Sequence, residues 1–140
     1  MISTSNQIAF CTLAGTYPAV KLTSGLSAGT ATLIATGPTN AGLILDILFR
    51  SKETVARNFD IFIGSSATPE NNIVQVAIPA NAGNNGTVAL ASVAALAPAI
   101  FDLDLAGNRV ITLEPGVTVY VVNIVALTAD VYVRVKLRSF

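Results

Sequence analysis

The chain of 140 residues carries eight basic and eight acidic side chains, so its formal net charge is zero. A neutral chain has no overall field that would attract nucleic acid or an anionic membrane. Histidine is absent and Cys11 is the single cysteine, which excludes an internal disulfide and a zinc site built from cysteine and histidine.

Short strand patterns separated by turn residues begin near the N-terminus and fill the first half of the chain. The strands predicted there cover residues 7–13, 19–22, 30–36, 43–50 and 58–63. In the fourth strand, Leu43, Leu45, Ile47 and Phe49 alternate with the other residues, which predicts that these four side chains face the core. Strands 43–50 and 58–63 are predicted to pair as a hairpin.

The second half continues the same pattern. Its predicted strands cover residues 73–78, 87–90, 102–105, 110–113, 117–127 and 131–137. Residues 92–97 form the one predicted helical turn, with Ser92 as its N-cap and Pro98 at its end. Residues 106–109 predict a tight hairpin connection, since glycine and asparagine tolerate positive φ. Strand 117–127 is apolar on both faces, which predicts a central strand or one buried at an interface.

These signals predict one all-β domain over residues 1–140, a two-sheet antiparallel β-sandwich of about eight to ten short strands. We expect residues 1–6 to form an N-terminal arm. They show no basic region followed by an apolar run, so no secretory signal is expected. The most apolar stretches, 88–101 and 117–129, are shorter than the roughly 20 residues that span a membrane as a helix, so no membrane partner is expected.

Catalytic chemistry is not predicted. A serine or cysteine nucleophile usually needs a neighbouring base, most often histidine, so we interpret Cys11 as a small buried apolar residue. The three lysines Lys21, Lys52 and Lys136 lie in no motif that would place them beside a serine. We therefore expect no enzyme activity, no cofactor and no small-molecule substrate.

Two carboxylates share a face of the predicted strand 102–105. Asp102 and Asp104 could bind a divalent cation through their oxygens, but no further oxygen ligands lie near them in sequence. We interpret them as a solvated strand face beside a hairpin and predict no metal site.

A basic stripe is predicted on the last strand. Arg134, Lys136 and Arg138 alternate on one face, with Tyr132 at its head. Such a stripe could contact phosphates. A solvated edge strand, or pairing with acidic residues of a neighbouring subunit, is the favoured interpretation, because charge on an edge discourages unwanted pairing.

The charge content is low for a water-exposed surface. Charged residues make up 11% of the chain and apolar residues 52%, whereas about a quarter of an average soluble domain is charged. We therefore expect part of the exterior to contact other protein chains, including copies of this one. The two least charged stretches are the expected interface, with burial in the chain's own core as the alternative. The expected contact residues are Val88, Val93, Leu96, Ile100, Phe101, Val117, Val119 and Val121.

Several turn and strand signals between residues 37 and 125 resemble small structural proteins of tailed bacteriophages and prophages. They are the turn 39–42 before strand 43–50, the partner strand 58–64, the run 102–108, and the turn 113–116. The resemblance implies a jelly-roll sandwich on the virion's capsid exterior, made in the host cytoplasm. It implies a homotrimeric decoration, or cement, protein bound to the major capsid protein. A tail, fibre or head-fibre domain remains an alternative, as does a carbohydrate-binding sandwich.

Overall fold

The computed structural model describes residues 19–140. The predictions for strand 7–13, Cys11 and the arm 1–6 lie outside the described residues. Within them the chain forms ten strands, one helical turn and two short 3₁₀ helices, Pro69–Asn71 and Pro98–Ile100. The strands and the helix are β1 (Ala19–Leu22), β2 (Ala31–Thr36), β3 (Gly42–Ser51), β4 (Arg57–Gly64), β5 (Asn72–Ile78), β6 (Ala91–Ser92), α1 (Val93–Leu96), β7 (Asp102–Leu103), β8 (Arg109–Leu113), β9 (Thr118–Asn123) and β10 (Val131–Ser139).

The strands form two antiparallel sheets. The large sheet has the order β1-β10-β3-β8-β7, with β6 paired to β3, and the small sheet has the order β2-β9-β4-β5. Strands of the first half therefore pair with strands of the second half: β1 with β10, β2 with β9, β3 with β8 and β4 with β5. This is the strand order of a jelly roll, in which a long antiparallel ribbon is rolled into two sheets. The predicted two-sheet antiparallel sandwich is confirmed.

The core lies between the two sheets and is built from the inward side chains of their strands. Phe49 of the large sheet and Phe59 of the small sheet are both fully buried, and their ring centroids lie 5.2 Å apart. Burial of one such aromatic side chain contributes about 1.5–3 kcal/mol relative to exposure. No helix among residues 19–140 is long and apolar enough to cross a membrane.

Strand β3 contains a β-bulge that changes which residues face the core. Ile44 pairs with Leu137 and Asp46 pairs with Lys136, so Leu45 is an extra residue in β3. A bulge shifts the alternation by one position. The buried side chains are consequently those of Ile44, Ile47 and Phe49, whereas Leu43 and Leu45 are only half-buried and line the outer surface. The prediction that these last two residues face the core was wrong.

The predicted hairpin between strands 43–50 and 58–63 is also wrong. Strand β3 belongs to the large sheet and β4 to the small sheet, so residues 52–56 cross from one sheet to the other. The crossing is held by the fully buried Glu53, whose backbone carbonyl accepts a hydrogen bond from the amide of Asn81 at 2.9 Å. Alternation within each strand does not reveal which sheet that strand joins.

Three further predictions can be compared with the structure. The helical turn α1 is confirmed: the Ser92 hydroxyl accepts a hydrogen bond from the amide of Ala95 at 3.3 Å, and Pro98 follows the C-cap. Strand 87–90 is not formed, and the two-residue β6 takes its place. The last strand is not an edge, because β10 lies between β1 and β3.

Strand β9 lies between β2 and β4, so the prediction that residues 117–127 contain a central strand is confirmed. The strand is shorter than predicted. The strand ends at Asn123, four residues early. The carboxamide of Asn123 donates to the backbone carbonyls of Leu26, Ser27 and Val125, which turns the chain away from the sheet.

Candidate functional site

The outer surface of the large sheet holds a hollow of about 550 Å³, which we call the groove. Strands β3 and β10 provide most of its floor, and the edge strand β1 and the loop before β6 complete it. Its lining residues are Ala19, Leu48, Arg50, Leu90, Tyr132, Arg134 and Lys136. Cationic and apolar side chains therefore share one surface of the molecule.

Alternation along β10 explains why these side chains point outward. Val131 and Val133 are fully buried and face the core, so Tyr132 and Arg134 face the groove. The basic stripe predicted from the sequence is thus placed on one face, although Arg138 lies in a second hollow farther along the strand.

Leu90 forms an apolar wall of the groove and is 43% exposed. It reaches this position because the loop before it is tightly folded. The Asn85 carboxamide oxygen accepts hydrogen bonds from the amides of Thr87 and Val88 at 3.0 and 3.1 Å. Gly83 adopts a φ of +65°, and a Cβ added to it would lie 2.7 Å from the Leu90 Cδ1 atom. A side chain at position 83 would therefore displace the wall.

Two cationic side chains lie close to the ring of Tyr132. The guanidinium carbon of Arg50 lies 5.3 Å from the centre of the Tyr132 ring, and the Lys52 ammonium lies 5.9 Å from it. An exposed cation–π contact of this kind contributes about 0.5–1 kcal/mol. The groove therefore presents an ordered aromatic and cationic surface.

The carboxylate of Asp46 lies on the same face. In the β3–β10 ladder, the backbone of Asp46 lies opposite that of Lys136. Its oxygens accept hydrogen bonds from the Ser92 hydroxyl at 2.5 Å and from the Ala94 amide at 3.0 Å. Asp46 thereby fixes the start of α1 against β3, which is a structural role.

A second hollow of about 440 Å³ lies beside the β7–β8 hairpin. Two arginines and one carboxylate are among the residues that line it. Its lining residues are Leu43, Leu45, Asp104, Asn108, Arg109, Val110 and Arg138. The bulge in β3 places the two leucines on this surface rather than in the core.

The hairpin between β7 and β8 ends in an apolar tip. Leu103 is 64% exposed and Leu105 is 110% exposed relative to the reference value, so the latter side chain projects fully into solvent. The Asp104 carboxylate accepts hydrogen bonds from the amides of Ala106 and Asn108 at 2.9 and 2.8 Å, which fixes the loop. This was the predicted tight hairpin, and Gly107 adopts the predicted positive φ, +84°.

Asp102 and Asp104 are the two carboxylates that the sequence places on one strand face. In residues 19–140 no group of three or more acidic, histidine or cysteine side chains is arranged to hold a metal ion. Because the Asp104 carboxylate is engaged with two backbone amides, its role in the structure is to shape the loop.

The eight residues expected at an interface are divided by the structure. Val93, Val119 and Val121 are fully buried and Phe101 is 5% exposed, so these four pack in the chain's own core, the alternative given above. Leu96 is exposed at 47%. The remaining three are half-buried and pack against the core: Val88, Ile100 and Val117.

Among the described residues, the exposed large apolar side chains outside the two expected stretches are Leu33, Val55, Leu103 and Leu105. Two of them alternate with Asp102 and Asp104 next to a predicted turn. A leucine beside a turn residue and between carboxylates is difficult to bury, and that pattern could have identified the hairpin tip.

A polar corner lies at the crossing between the sheets, away from the groove; it consists of Glu53, Arg57 and Thr128. The Glu53 carboxylate accepts hydrogen bonds from the Thr128 amide at 2.8 Å and the Thr128 hydroxyl at 2.5 Å, and it lies 3.1 Å from the Arg57 Nε atom. Burial alone would raise the pKa of Glu53, but these hydrogen bonds and the Arg57 charge hold the pKa below its usual value. The corner carboxylate is therefore ionised and fully partnered.

Beside the corner, Asp130 joins two loops. Its carboxylate accepts a hydrogen bond from the Ser24 amide at 2.8 Å and lies 3.5 Å from the Lys21 ammonium. The Ser24 hydrogen bond and, to a smaller extent, the charges of Lys21 and Lys52 lower the pKa of Asp130. This carboxylate holds the loop after β1 to the start of β10.

No protein-family model, curated protein or solved structure matches this chain. The interpretation of its function therefore depends on the jelly-roll fold, the groove and the hairpin tip.

Proposed function

We propose that this chain is a structural protein of a bacteriophage virion, a decoration subunit that binds the outside of the head and stabilises it. The observation that carries the proposal is the pair of exposed apolar features on one jelly-roll sheet, the groove around Leu48 and Leu90 and the hairpin tip at Leu103 and Leu105. Features of this kind are suited to contact with other protein chains.

The energetics of such contacts favour a repetitive assembly. Burial of an exposed leucine contributes about 1.5–3 kcal/mol, so a small patch on one subunit gives modest affinity after the cost of association. A subunit that contacts neighbouring copies and a shell at once gains from effective concentration, because each further contact forms within the assembly. A decoration layer supplies this repetition.

The rigid frame of the chain also supports the proposal. The outward side chains of β3 and β10 are fixed by a ladder that extends from Gly42 to Ser51, with partners from Val131 to Ser139. A surface held by a sheet is presented in one conformation, so less conformational entropy is lost on binding.

Immunogold electron microscopy tests the proposal. An antibody raised against the chain is applied to purified virions of the phage or prophage that encodes it, and label over the head is expected. Label on the tail or on fibres would support the alternative of a tail or fibre domain. Absence of the chain from purified particles, measured by mass spectrometry, would overturn a virion role altogether.

A deletion experiment tests stabilisation separately. Particles assembled without the chain are expected to release DNA at a lower temperature than complete particles, and addition of the purified chain is expected to restore the original temperature. Unchanged heat resistance would contradict a cementing role.

A further inference from the structure

We propose that the tip of the β7–β8 hairpin in one subunit binds the groove of a second copy of this chain. The inference deepens the proposed function, on which it rests only in taking assembly as the role of the chain. The occupant of the groove is identified by complementary chemistry on the two surfaces of the same molecule.

The tip alternates acidic and apolar side chains over four consecutive residues, Asp102, Leu103, Asp104 and Leu105. All four are exposed, and the second leucine is entirely in solvent. The loop is ordered by the Asp104 carboxylate, so the tip is presented as a fixed projection. A ligand for this tip needs an apolar hollow bordered by cations.

The groove has that character. Arg50, Arg134 and Lys136 supply three positive charges, and Leu48 and Leu90 supply apolar walls. Arg134 and Lys136 also have interactions within their own chain. Asp46 lies on the same face, and the three cations of the groove outnumber this carboxylate. The groove and the tip are therefore complementary in both charge and polarity.

The positions of the two surfaces determine the kind of assembly. The tip includes β7, which lies at one edge of the large sheet, whereas the groove lies over β1, β10 and β3 toward the opposite edge. Because the tip and the groove are different surfaces, their contact is heterologous. Repetition of a heterologous contact produces a closed ring when the rotation allows it.

Light scattering coupled to size-exclusion chromatography of the full chain is the first test. We expect an oligomer that dissociates on dilution. The Leu103→Ser, Leu105→Ser double variant is expected to weaken the association constant by about tenfold for each leucine. Leu33→Ser is the matched control, because Leu33 is 45% exposed but belongs to β2 of the small sheet, and it should leave association unchanged.

Charge reversal identifies the two partners of the contact. Asp102→Lys and Arg50→Glu are each expected to weaken association by about tenfold or more, and the double variant is expected to recover most of the loss because opposite charges then face each other again. Glu70→Lys, on an exposed 3₁₀ helix, is the charge control. Circular dichroism and denaturant unfolding verify that each variant is folded.

A wild-type chain that is monomeric at every concentration would overturn the inference. An oligomer that is insensitive to both tip and groove substitutions, or a double reversal without recovery, would also overturn it. If the groove substitutions abolish head labelling but leave the oligomer intact, the groove binds the shell and not the tip, which contradicts the inference while the proposed function stands. An oligomer of the expected behaviour with unlabelled virions would contradict the proposed function alone.

Discussion

The polar corner and the groove hold charged side chains in opposite ways. At the corner, Glu53 is fully buried and both of its carboxylate oxygens have partners. In the groove, Arg50 is exposed, and its contacts are the ring of Tyr132 and a 3.4 Å hydrogen bond to Asn84. Burial with a partner for each carboxylate oxygen makes Glu53 a charge that holds the fold, whereas the exposure of Arg50 leaves its charge available for contact.

The largest expected effect is at the corner. Glu53→Ala leaves the half-buried Arg57 without its carboxylate partner and removes the acceptor of two Thr128 hydrogen bonds. Loss of one member of a buried pair costs about 3–5 kcal/mol, so we expect a decrease of this size in the free energy of unfolding, measured with denaturant. Glu70→Ala at an exposed site is the control and should change it by less than about 0.5 kcal/mol. Equal effects of the two substitutions would remove the distinction between corner and surface.

A smaller loss is expected at Asn123, a buried polar residue at the end of β9. Asn123→Ala removes the donor to three backbone carbonyls. An unsatisfied buried polar group costs about 1–3 kcal/mol, and the same unfolding measurement should show a decrease in this range. Asn40→Ala, at an exposed turn position, is the matched control. A stability equal to that of the wild type would mean that the loops after β1 and β9 do not depend on this side chain.

The pKa of Glu53 predicts how stability depends on pH. Because the folded state lowers this pKa, the contribution is fully present above the ordinary glutamate pKa of about 4.3 and is lost as the pH falls through the lower folded value. One proton gives a slope of at most about 1.4 kcal/mol per pH unit. Between about pH 2 and pH 6, the range in which a glutamate titrates, the free energy of unfolding should depend less steeply on pH in Glu53→Gln than in the wild type. Identical slopes would contradict the assignment.

The smallest expected effect lies in the groove. A double-mutant cycle with Arg50→Ala and Tyr132→Leu measures the coupling between the guanidinium and the ring, which are 5.3 Å apart. We expect a coupling free energy of about 0.5–1 kcal/mol. A coupling free energy of about 3–5 kcal/mol, the size of the loss expected at the corner, would indicate that Arg50 also holds the fold.

Much of the fold could be predicted from local patterns. Alternating strands and the turn residues between them identified most of the strands, the helical turn capped by Ser92, and the hairpin with Gly107. The bulge at Leu45 and the crossing at Glu53 could not be predicted, because each depends on partners far away in sequence. Local alternation contains no information about which sheet a strand will join.

The candidate site was predictable only in part. The face shared by Arg134 and Lys136 follows from alternation, but the approach of Leu48 and Leu90 to Tyr132 depends on how three segments meet. Apolar content also failed to separate interface from core, since Val119 and Val121 are as apolar as an interface would require and are fully buried. Burial in an apolar core and burial against another chain select the same residue types.

The pairing of the first half of the chain with the second half has a consequence for synthesis on the ribosome. Ala19 begins the edge strand of the large sheet, yet its partner Arg134 belongs to β10 and is synthesised only after strands β1 to β9. The central pairing of that sheet likewise waits for β10, which contacts both β1 and β3. Contacts between distant parts of a sequence slow folding, and β1 and one edge of β3 remain unpaired until β10 has been synthesised. Chains stalled before Val131 would expose open strand edges, and these should be the species most prone to aggregate.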